Sequence, residues 1–585
     1  MEQLMESGFF PRKGLSPEQD AWVKNFFTEN HIAYETFPDL VASPEQLNFM
    51  VRLEPEQLYY PCSDKLFEAI IEKKADTLLT TAYAKIWTRL ERLVSEVIND
   101  DYKKKYLLSL LSIKFNHEIT HKVQLPGHLE KRLLGIFTTI SEIDRPLASV
   151  REEENKRAWE FLQSEPFHKA YLSPEGLRLT DTTTIPDIDL QLHLLKLRRL
   201  LLLTTCRSIW GNDGLPNQHV LNEGINCPIE NEAWLWLCEW VNGVVQGHKK
   251  PCILWLAGRS GEIVLDLAII SNLMEIGVRV ILAVKQNFYY HRISYADIME
   301  DPVLVSLLQG AALIDNSQIS KNDLLRLLDN DNRLLVISDG TGEDFNPLLT
   351  SVTFARAFKE ADLVISRSPG CREIITNRFQ FTRDILSLFP ENEGKIDMLL
   401  KPHHPATIRF PQSALRKKAD VLIKMAREER ERGKKIMFYS AIVGSIPGEL
   451  QTAKHILSVF VEHLRATLHD VVIINPAEHF EEGMDADDIM YMWEIFQRSG
   501  MIDIWRFQSV DDIEYAFSLM KQKVPPEWSG KDATYSTGCT KEMEIAIEVQ
   551  RTCPEMQLIG PPWEKFKRRS EYGVGKLYDR TLTGY

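Results

Sequence analysis

The 585-residue chain is short of several features that would fix its class at once. It has only eight cysteines, at 62, 206, 227, 238, 252, 371, 539 and 553, and no two form a Cys-x-x-Cys pair. That scarcity predicts reduced thiols in a cytoplasmic protein rather than a disulfide framework. Positive charge is in deficit, with 69 Lys and Arg against 83 Asp and Glu and a formal net charge of −14. A general nucleic-acid surface needs a basic face, so no nucleic-acid partner is expected, although a local basic pocket for a small anion fits that balance. No uninterrupted apolar run approaches the roughly 20 residues that cross a bilayer, and no membrane partner is expected. The opening MEQLMESGFFPRKG lacks the basic-then-apolar order of a secretory signal. Internal repeats and low-complexity tracts are missing as well.

The chain does have apolar sequence to bury, 44% hydrophobic against 26% charged, and length for several domains of roughly 100–200 residues each. Residues 1–245 carry helical periodicity: AKIWTRLERLVSEVIND, YLLSLLSIKF and LQLHLLKLRRLLLL repeat apolar residues at intervals of three and four. From about 250 the texture changes. PCILWLA, VRVILAV, AALID, RLLVISD and ADLVISR alternate with amphipathic segments, the pattern of a mostly parallel, doubly wound sheet. ALRKKADVLIKMAREERERGKK then reads as a charged connecting helix over 413–432. A second alternating series follows: IMFYSAI, DVVIINP, MIDIWRF and MQLIGP. The expected architecture is α/β, with a helical N-terminal region over 1–245, a central doubly wound sheet over 246–412, the connector, and a Rossmann-like α/β domain over 433–585. The C-terminal domain is open as a protein-binding platform, a self-association surface or a second catalytic unit.

LAGRSGEIVLDL, Leu256 to Leu267, joins a strand to a helix through a glycine-bearing turn. Strand ends of this kind are where open α/β sheets bind ligands. This turn carries Arg259 and Ser260. An arginine cannot ligate a cation, but its guanidinium binds phosphate or carboxylate in a bidentate way. Asp339 follows the apolar run LLVI in VISDGTG, where Gly340 and Gly342 let the backbone approach a ligand closely. It reads either as a polar site residue or as a simple turn aspartate.

GEIVLDLAIISNL followed by VRVILAVKQNFYYHRISYAD resembles the damage-control metal-dependent phosphatase family, in its protein-glutamate methyltransferase-like branch. ISDGTGEDFN, ADLVISRSPG and the segment SIWGNDGLPN agree with it in order, so the similarity covers roughly residues 60 to 410. The resemblance implies a divalent metal held by an Asp-Asn pair before Gly261 and Glu262, and by an aspartate in the loop after the next strand. Those positions here hold Gly258, Arg259 and Arg292, the last preceded by His291. The arginines are open as stand-ins for the metal's charge, or as partners of Glu262 and Asp266 in a retired site; a metal held by other residues is the third alternative. Glu262 and Asp339 are the acids placed for catalysis. Arg259, Ser260, Arg292, Asn212, Arg367 and Lys401 are placed to contact a phosphorylated or otherwise anionic small molecule, with Arg372 near Arg367. Mn, Co or Ni is expected only if the chain is an active phosphatase or transferase; a non-catalytic scaffold or regulatory pseudoenzyme is the other alternative.

Four further strings have local readings. HEITH, His117 to His121, matches a zinc-protease pattern, but Lys122 and the nearby QLPG favour an ordinary helix whose histidines pair with acids. The adjacent histidines of KPHHPA read as loop residues before they read as ligands. SAIVGSIPGELQTAKHIL passes from strand to helix through Gly444 and Gly448, either an anion site or a tight connection. Cys539 in YSTGCTKEMEIAIE sits at a helix start, which would lower a thiol pKa; capping by Thr537 or Thr540 explains the polar residues equally well.

Overall fold

The structure, a computed structural model, describes residues 16–30, 47–52, 62–178, 180, 183–206, 209, 216, 218–247, 250–330, 333–367, 369–377, 379–392, 394–446 and 448–571. The chain divides into two compact units, Met1–Thr407 and Ile408–Tyr585. Each is α/β.

The first unit opens with helices, among them α1 Asp76–Val97, α2 Asp101–His121, α3 Pro126–Ser141, α4 Ala148–Leu162, α5 Ile185–Leu203 and α6 Glu232–Gln246. In α1 the buried residues Leu79, Tyr83, Ile86, Leu90, Leu93 and Val94 recur at intervals of one, three and four, which makes one apolar face. In α5 a Thr184–Asp187 capping box, with proline in the first turn, fixes the start.

The sheet of this unit is β1 Cys252–Leu256, β2 Arg279–Val284, β3 Ala312–Ile314, β4 Leu334–Ser338, β5 Leu363–Ser366, β6 Ile385–Asn392 and β7 Lys395–Lys401, in the order β3-β4-β2-β1-β5-β6-β7. All pairings are parallel except β6 with β7. All five residues of β1 are buried, as a parallel strand covered on both faces requires. Leu256 is in register with Ala283 of β2 and Ser366 of β5, so three loops leave one edge of the sheet together. The helix α7 Glu262–Glu275 follows β1, and α8 Val352–Glu360 precedes β5. The five alternating runs read in the sequence are β1 to β5; the hairpin β6–β7 was not anticipated.

One hydrophobic core joins the early helices to the sheet. Ala158 and Phe161 of α4 and Leu200, Leu201 and Leu203 of α5 lie in the same cluster as Ile253, Val280, Val336 and Ile365. The expected boundary near residue 245 therefore does not separate two cores.

The second unit is α9 Gln412–Glu431, β8 Lys435–Ser440, α10 Leu450–Thr467, β9 Val471–Ile474, α11 Ala486–Gln497, β10 Ile504–Phe507, α12 Val510–Leu519, α13 Thr537–Thr552 and β11 Gln557–Ile559, with a further helix at Trp563–Glu571. Its sheet is parallel throughout, in the order β9-β8-β10-β11. The helix expected as a connector, α9, buries Leu415, Ala419, Leu422 and Ala426 and packs on α11 and β8, so it belongs to this unit's fold. Among the described residues no helix is long and apolar enough to cross a membrane.

Candidate functional site

The first sheet reverses its winding between β1 and β5, because β2 lies on one side of β1 and β5 on the other. The crevice at such a point, beyond the carboxyl ends of the strands, is where this architecture holds ligands. The turn after β1 is built tightly. A side chain at Gly258 would meet Glu262 Oε2 at 2.8 Å and the Arg367 side chain at 3.3 Å. Arg259 pairs with Arg292 in a lone antiparallel bridge, and Ser260 N donates to the His291 carbonyl at 2.8 Å. Gly261 caps α7 at φ +72°, a conformation side chains rarely adopt, and its amide donates to Asn155 Oδ1 at 2.6 Å. The helix α4 thus reaches into the turn and satisfies the first amide of α7 with a carboxamide.

Neighbouring groups on α4 complete that contact. Ser260 Oγ donates to Glu154, and His291 Nδ1 lies 3.6 Å from the same Glu154 Oε2. Burial would raise the Glu154 carboxyl, but the hydrogen bond from Ser260, with the nearby charges of His291 and Arg259, holds it below its ordinary value. Arg151, fully buried, donates to the Tyr290 carbonyl at 2.9 Å and pairs with Asp297 at 3.0 Å.

Beside the turn lies a cavity of about 320 Å³. Arg89, Arg92 and Glu96 enter it from α1, Arg259 from the β1 turn, Tyr289 to Arg292 from the loop after β2, Asp344 from the loop after β4 and Gly370 from the segment after β5. Four arginines thus face one small space, with Glu96 and Asp344 as its two carboxylates. Arg89, Arg92 and Arg259 are exposed to solvent and Arg292 is 9% exposed. Beneath the cavity Glu130 accepts from Arg89 at 2.7 Å and from the hydroxyls of Tyr289 and Tyr290 at 2.9 Å each. Burial raises the Glu130 carboxyl despite the Arg89 charge. Tyr290 has φ +49°, uncommon for a bulky residue, and such strain clusters at functional sites. Of these residues only Arg259 and Arg292 were read as ligand contacts from the sequence, with His291 noted beside them; the others converge from segments far apart in the chain.

The remaining expected site residues lie elsewhere. Glu262 is half-buried, with Oε2 3.4 Å from the Arg259 amide, and Asp339 is buried; neither lines the cavity. Asp339 Oδ2 pairs with Lys285 Nζ at 2.6 Å and accepts from Thr341 Oγ1 at 3.0 Å, while Oδ1 accepts the Thr341 amide at 2.8 Å. Three of the ligand contacts are corrected. Ser260 is 5% exposed and spends its hydroxyl on Glu154. Arg367 is 1% exposed; its Nε donates to Asp266 Oδ1 at 2.9 Å and its Nη1 to the Leu388 carbonyl, so it neutralises a buried acid instead of meeting solvent. Burial pushes the Asp266 carboxyl up to about 6 against the pull of Arg367. Lys401 ends the antiparallel strand β7 opposite Ile385, the first residue of β6, which carries it to the far edge of the sheet. There its ammonium meets the Asn377 carbonyl and lies over the Phe381 ring, and burial lowers it to about 8. Arg372 pairs with Asp397. Asn212 falls outside the described residues.

Among the described residues no group of three or more His, Cys, Asp or Glu side chains is arranged to hold a metal ion. At the turn the residue set itself does not fit a divalent cation: an arginine stands at each end of the bridge, and Lys285 occupies the Asp339 carboxylate. In HEITH the buried Glu118 pairs with Arg132 at 3.0 Å and Lys122 at 3.4 Å, which matches the ordinary-helix reading. His403 pairs with Asp384 at 2.7 Å.

The second sheet has its own reversal, between β8 and β10. Its turn is filled from within: Ile442 N donates to Gln508 Oε1 at 3.1 Å, Trp528 Nε1 to Glu449 Oε2 at 3.0 Å, and Ile442 and Ile446 are buried. Of the two readings of the Cys539 segment, the lowered thiol pKa is not found. The residue is 2% exposed, its Sγ donates to the Ala441 carbonyl, and burial drives the thiol well above its ordinary value. Nearby, Glu542 accepts from Gln497 Nε2 at 3.0 Å and bonds Ser440, and burial pushes it up to about 7.

No protein-family model matches the chain, and no curated protein matches it. Among solved structures, a crystal structure of a DUF89 family protein from Pyrococcus horikoshii is similar over 53% of this chain and 90% of its own, at 16% identity and a TM-score of 0.36. That likeness assigns no residue of this chain a role.

Proposed function

We propose that the chain is a divergent damage-control phosphatase-like protein that binds an anionic, phosphorylated small molecule at the strand ends of its first sheet, with guanidinium groups where the resembled family places a metal. The observation that carries this reading is the convergence of Arg89, Arg92, Arg259 and Arg292 on one cavity of about 320 Å³. A volume of that size lies at the lower end of ordinary ligand pockets, roughly 300–1,000 Å³. Paired guanidiniums bind a phosphoryl group through short, charge-assisted, bidentate hydrogen bonds. The donor set at the turn, with an arginine on each side of the bridge, suits an anion better than a divalent cation.

The test is thermal unfolding of the full chain against rising inorganic phosphate and phosphorylated sugars, together with elemental analysis and phosphoester hydrolysis in Mn, Co or Ni. A ligand at a hundred times its Kd stabilises the native state by about 2.7 kcal/mol, and that gain should disappear in the R259A/R292A double variant. Stoichiometric metal with metal-stimulated turnover would replace this reading with that of an active phosphatase. Absence of stabilisation by any phosphorylated compound would leave a non-catalytic scaffold.

A further inference from the structure

A second cavity, of about 530 Å³, lies at the other end of the first sheet. Gly310 and Ala311, before β3, and Arg333 and Leu334, where β4 begins, border it. It therefore opens at the amino ends of the strands, away from the arginine cavity at their carboxyl ends. Aromatic and aliphatic side chains make most of its wall: Trp159 from α4, Phe167 and Tyr171 from the helix Glu165–Tyr171, Leu200 from α5 and Leu267 from α7. The Phe167 and Tyr171 rings stack with centroids 5.2 Å apart. Protein interiors close-pack and leave few voids larger than a water molecule. An apolar-walled space of this size falls instead in the range of small-molecule sites, roughly 300–1,000 Å³.

The polar groups on the wall narrow the occupant. Its charged side chains are one acid and one base, and the protein answers both: Glu275 lies 3.8 Å from Lys196, and Arg333 Nη1 donates to the Met274 carbonyl at 3.2 Å. Neither asks a ligand for a counter-charge. Asn272, also on the wall, differs: it is 3% exposed, and its Nδ2 has no hydrogen-bond partner among the described residues. A buried amide left so costs free energy until an acceptor reaches it. We infer that this cavity is a second ligand site, for a neutral, largely apolar small molecule. A ring system lies against the aromatic wall, and one carbonyl oxygen accepts from Asn272 Nδ2. The two cavities share no residue, so this site stands or falls apart from the anion-binding reading.

The experiment is equilibrium dialysis of the full chain against 2-acetylnaphthalene and 2-ethylnaphthalene, one ring system with and without a carbonyl. Both should bind the wild-type chain. In Asn272→Leu the ketone should weaken about fivefold relative to the hydrocarbon, the size of one hydrogen bond. Ala268→Phe, at a half-buried position on the α7 wall, fills the space and should abolish binding of both compounds. Thermal unfolding of each variant checks that the first unit remains folded, and Asn272→Leu carries the test if Ala268→Phe does not fold. Failure of both compounds to bind the wild-type chain would overturn the site, and so would binding that survives in a folded Ala268→Phe chain. An unchanged ratio of the two affinities in Asn272→Leu would overturn the role of Asn272. Sedimentation of the unliganded proteins supplies the last arm: a wild-type dimer that Ala268→Phe dissociates would give this face to a second copy of the chain and overturn the small-molecule assignment.

Discussion

The two parallel sheets meet the same geometric situation at their points of reversal and settle it in opposite ways. After β1 the turn sends Arg259 outward to a cavity shared with three other arginines. After β8 the corresponding turn closes on itself, with Gln508 capping Ile442, Glu449 taking the Trp528 indole, and Ile442 and Ile446 buried. The winding of the strands offers a crevice in both, but only the side chains decide whether it becomes a charged opening or part of the packing. Fold alone assigns neither role.

The contrast can be broken most severely from within the first sheet. Arg367 and Arg259 follow adjacent strands, yet one is 1% exposed in an ion pair and the other faces solvent. Arg367→Met leaves Asp266 buried without its partner and should destabilise the first unit by about 3–5 kcal/mol, seen in calorimetry as a large fall in its transition. An unchanged transition would mean that the pair is not buried as described.

Next in size is Glu542. Its carboxyl rises from 4.5 to about 7 on folding. An acid raised in the folded state contributes stability that is complete below its unfolded value and is lost as pH climbs through the folded one. Between pH 4.5 and 7 that contribution should fall by about 3 kcal/mol, in order of magnitude. Glu542→Gln should therefore match wild type near pH 5 and exceed it near pH 8, measured by hydrogen exchange in the α13 peptides. Equal pH dependence in the two proteins would refute it.

Smaller still is the closed turn itself. Glu449→Ala should cost about 1.5–3 kcal/mol by stranding the indole N–H of Trp528, which is 1% exposed. Tryptophan fluorescence followed through denaturant should report it. The smallest effect has the opposite sign. Arg259→Ala removes one of two opposed like charges and should stabilise the ligand-free chain by a few tenths of a kcal/mol. The gain should shrink as salt rises; a loss of stability at low salt would show that Arg259 supports the turn.

Much of this frame was legible before the structure. Nine apolar runs punctuated by helices gave the strands β1 to β5 and β8 to β11, because a buried parallel strand advertises itself as a continuous apolar stretch. The hairpin β6–β7 escaped: LSLFPEN and KIDMLLK mix apolar residues with Pro, Asn, Lys and Asp, as the edge of a sheet permits. That omission misplaced Lys401, since a strand running backwards delivers its last residue to the opposite edge. Arg367 misled for another reason. A cation after a strand looks the same in sequence whether it meets a ligand or Asp266, an acid from a helix 101 residues earlier. Arg89, Arg92, Tyr289, Glu130, Glu154 and Asn155 were unreadable as a group because their convergence depends on how α1, α3 and α4 dock, which no local spacing encodes.

The carboxamide of Asn155 on the Gly261 amide has a consequence for how the chain can be cut. The same helix gives Arg151 to Asp297 and, again through Asn155, a bond to Asp301, and it lends Phe161 to the core under the sheet. A gene fragment opening just before the first strand would encode a sheet with severed polar ties and one apolar face uncovered. The helices before the first strand are therefore part of the sheet's own folding unit, and a fragment lacking them is expected to aggregate when expressed alone.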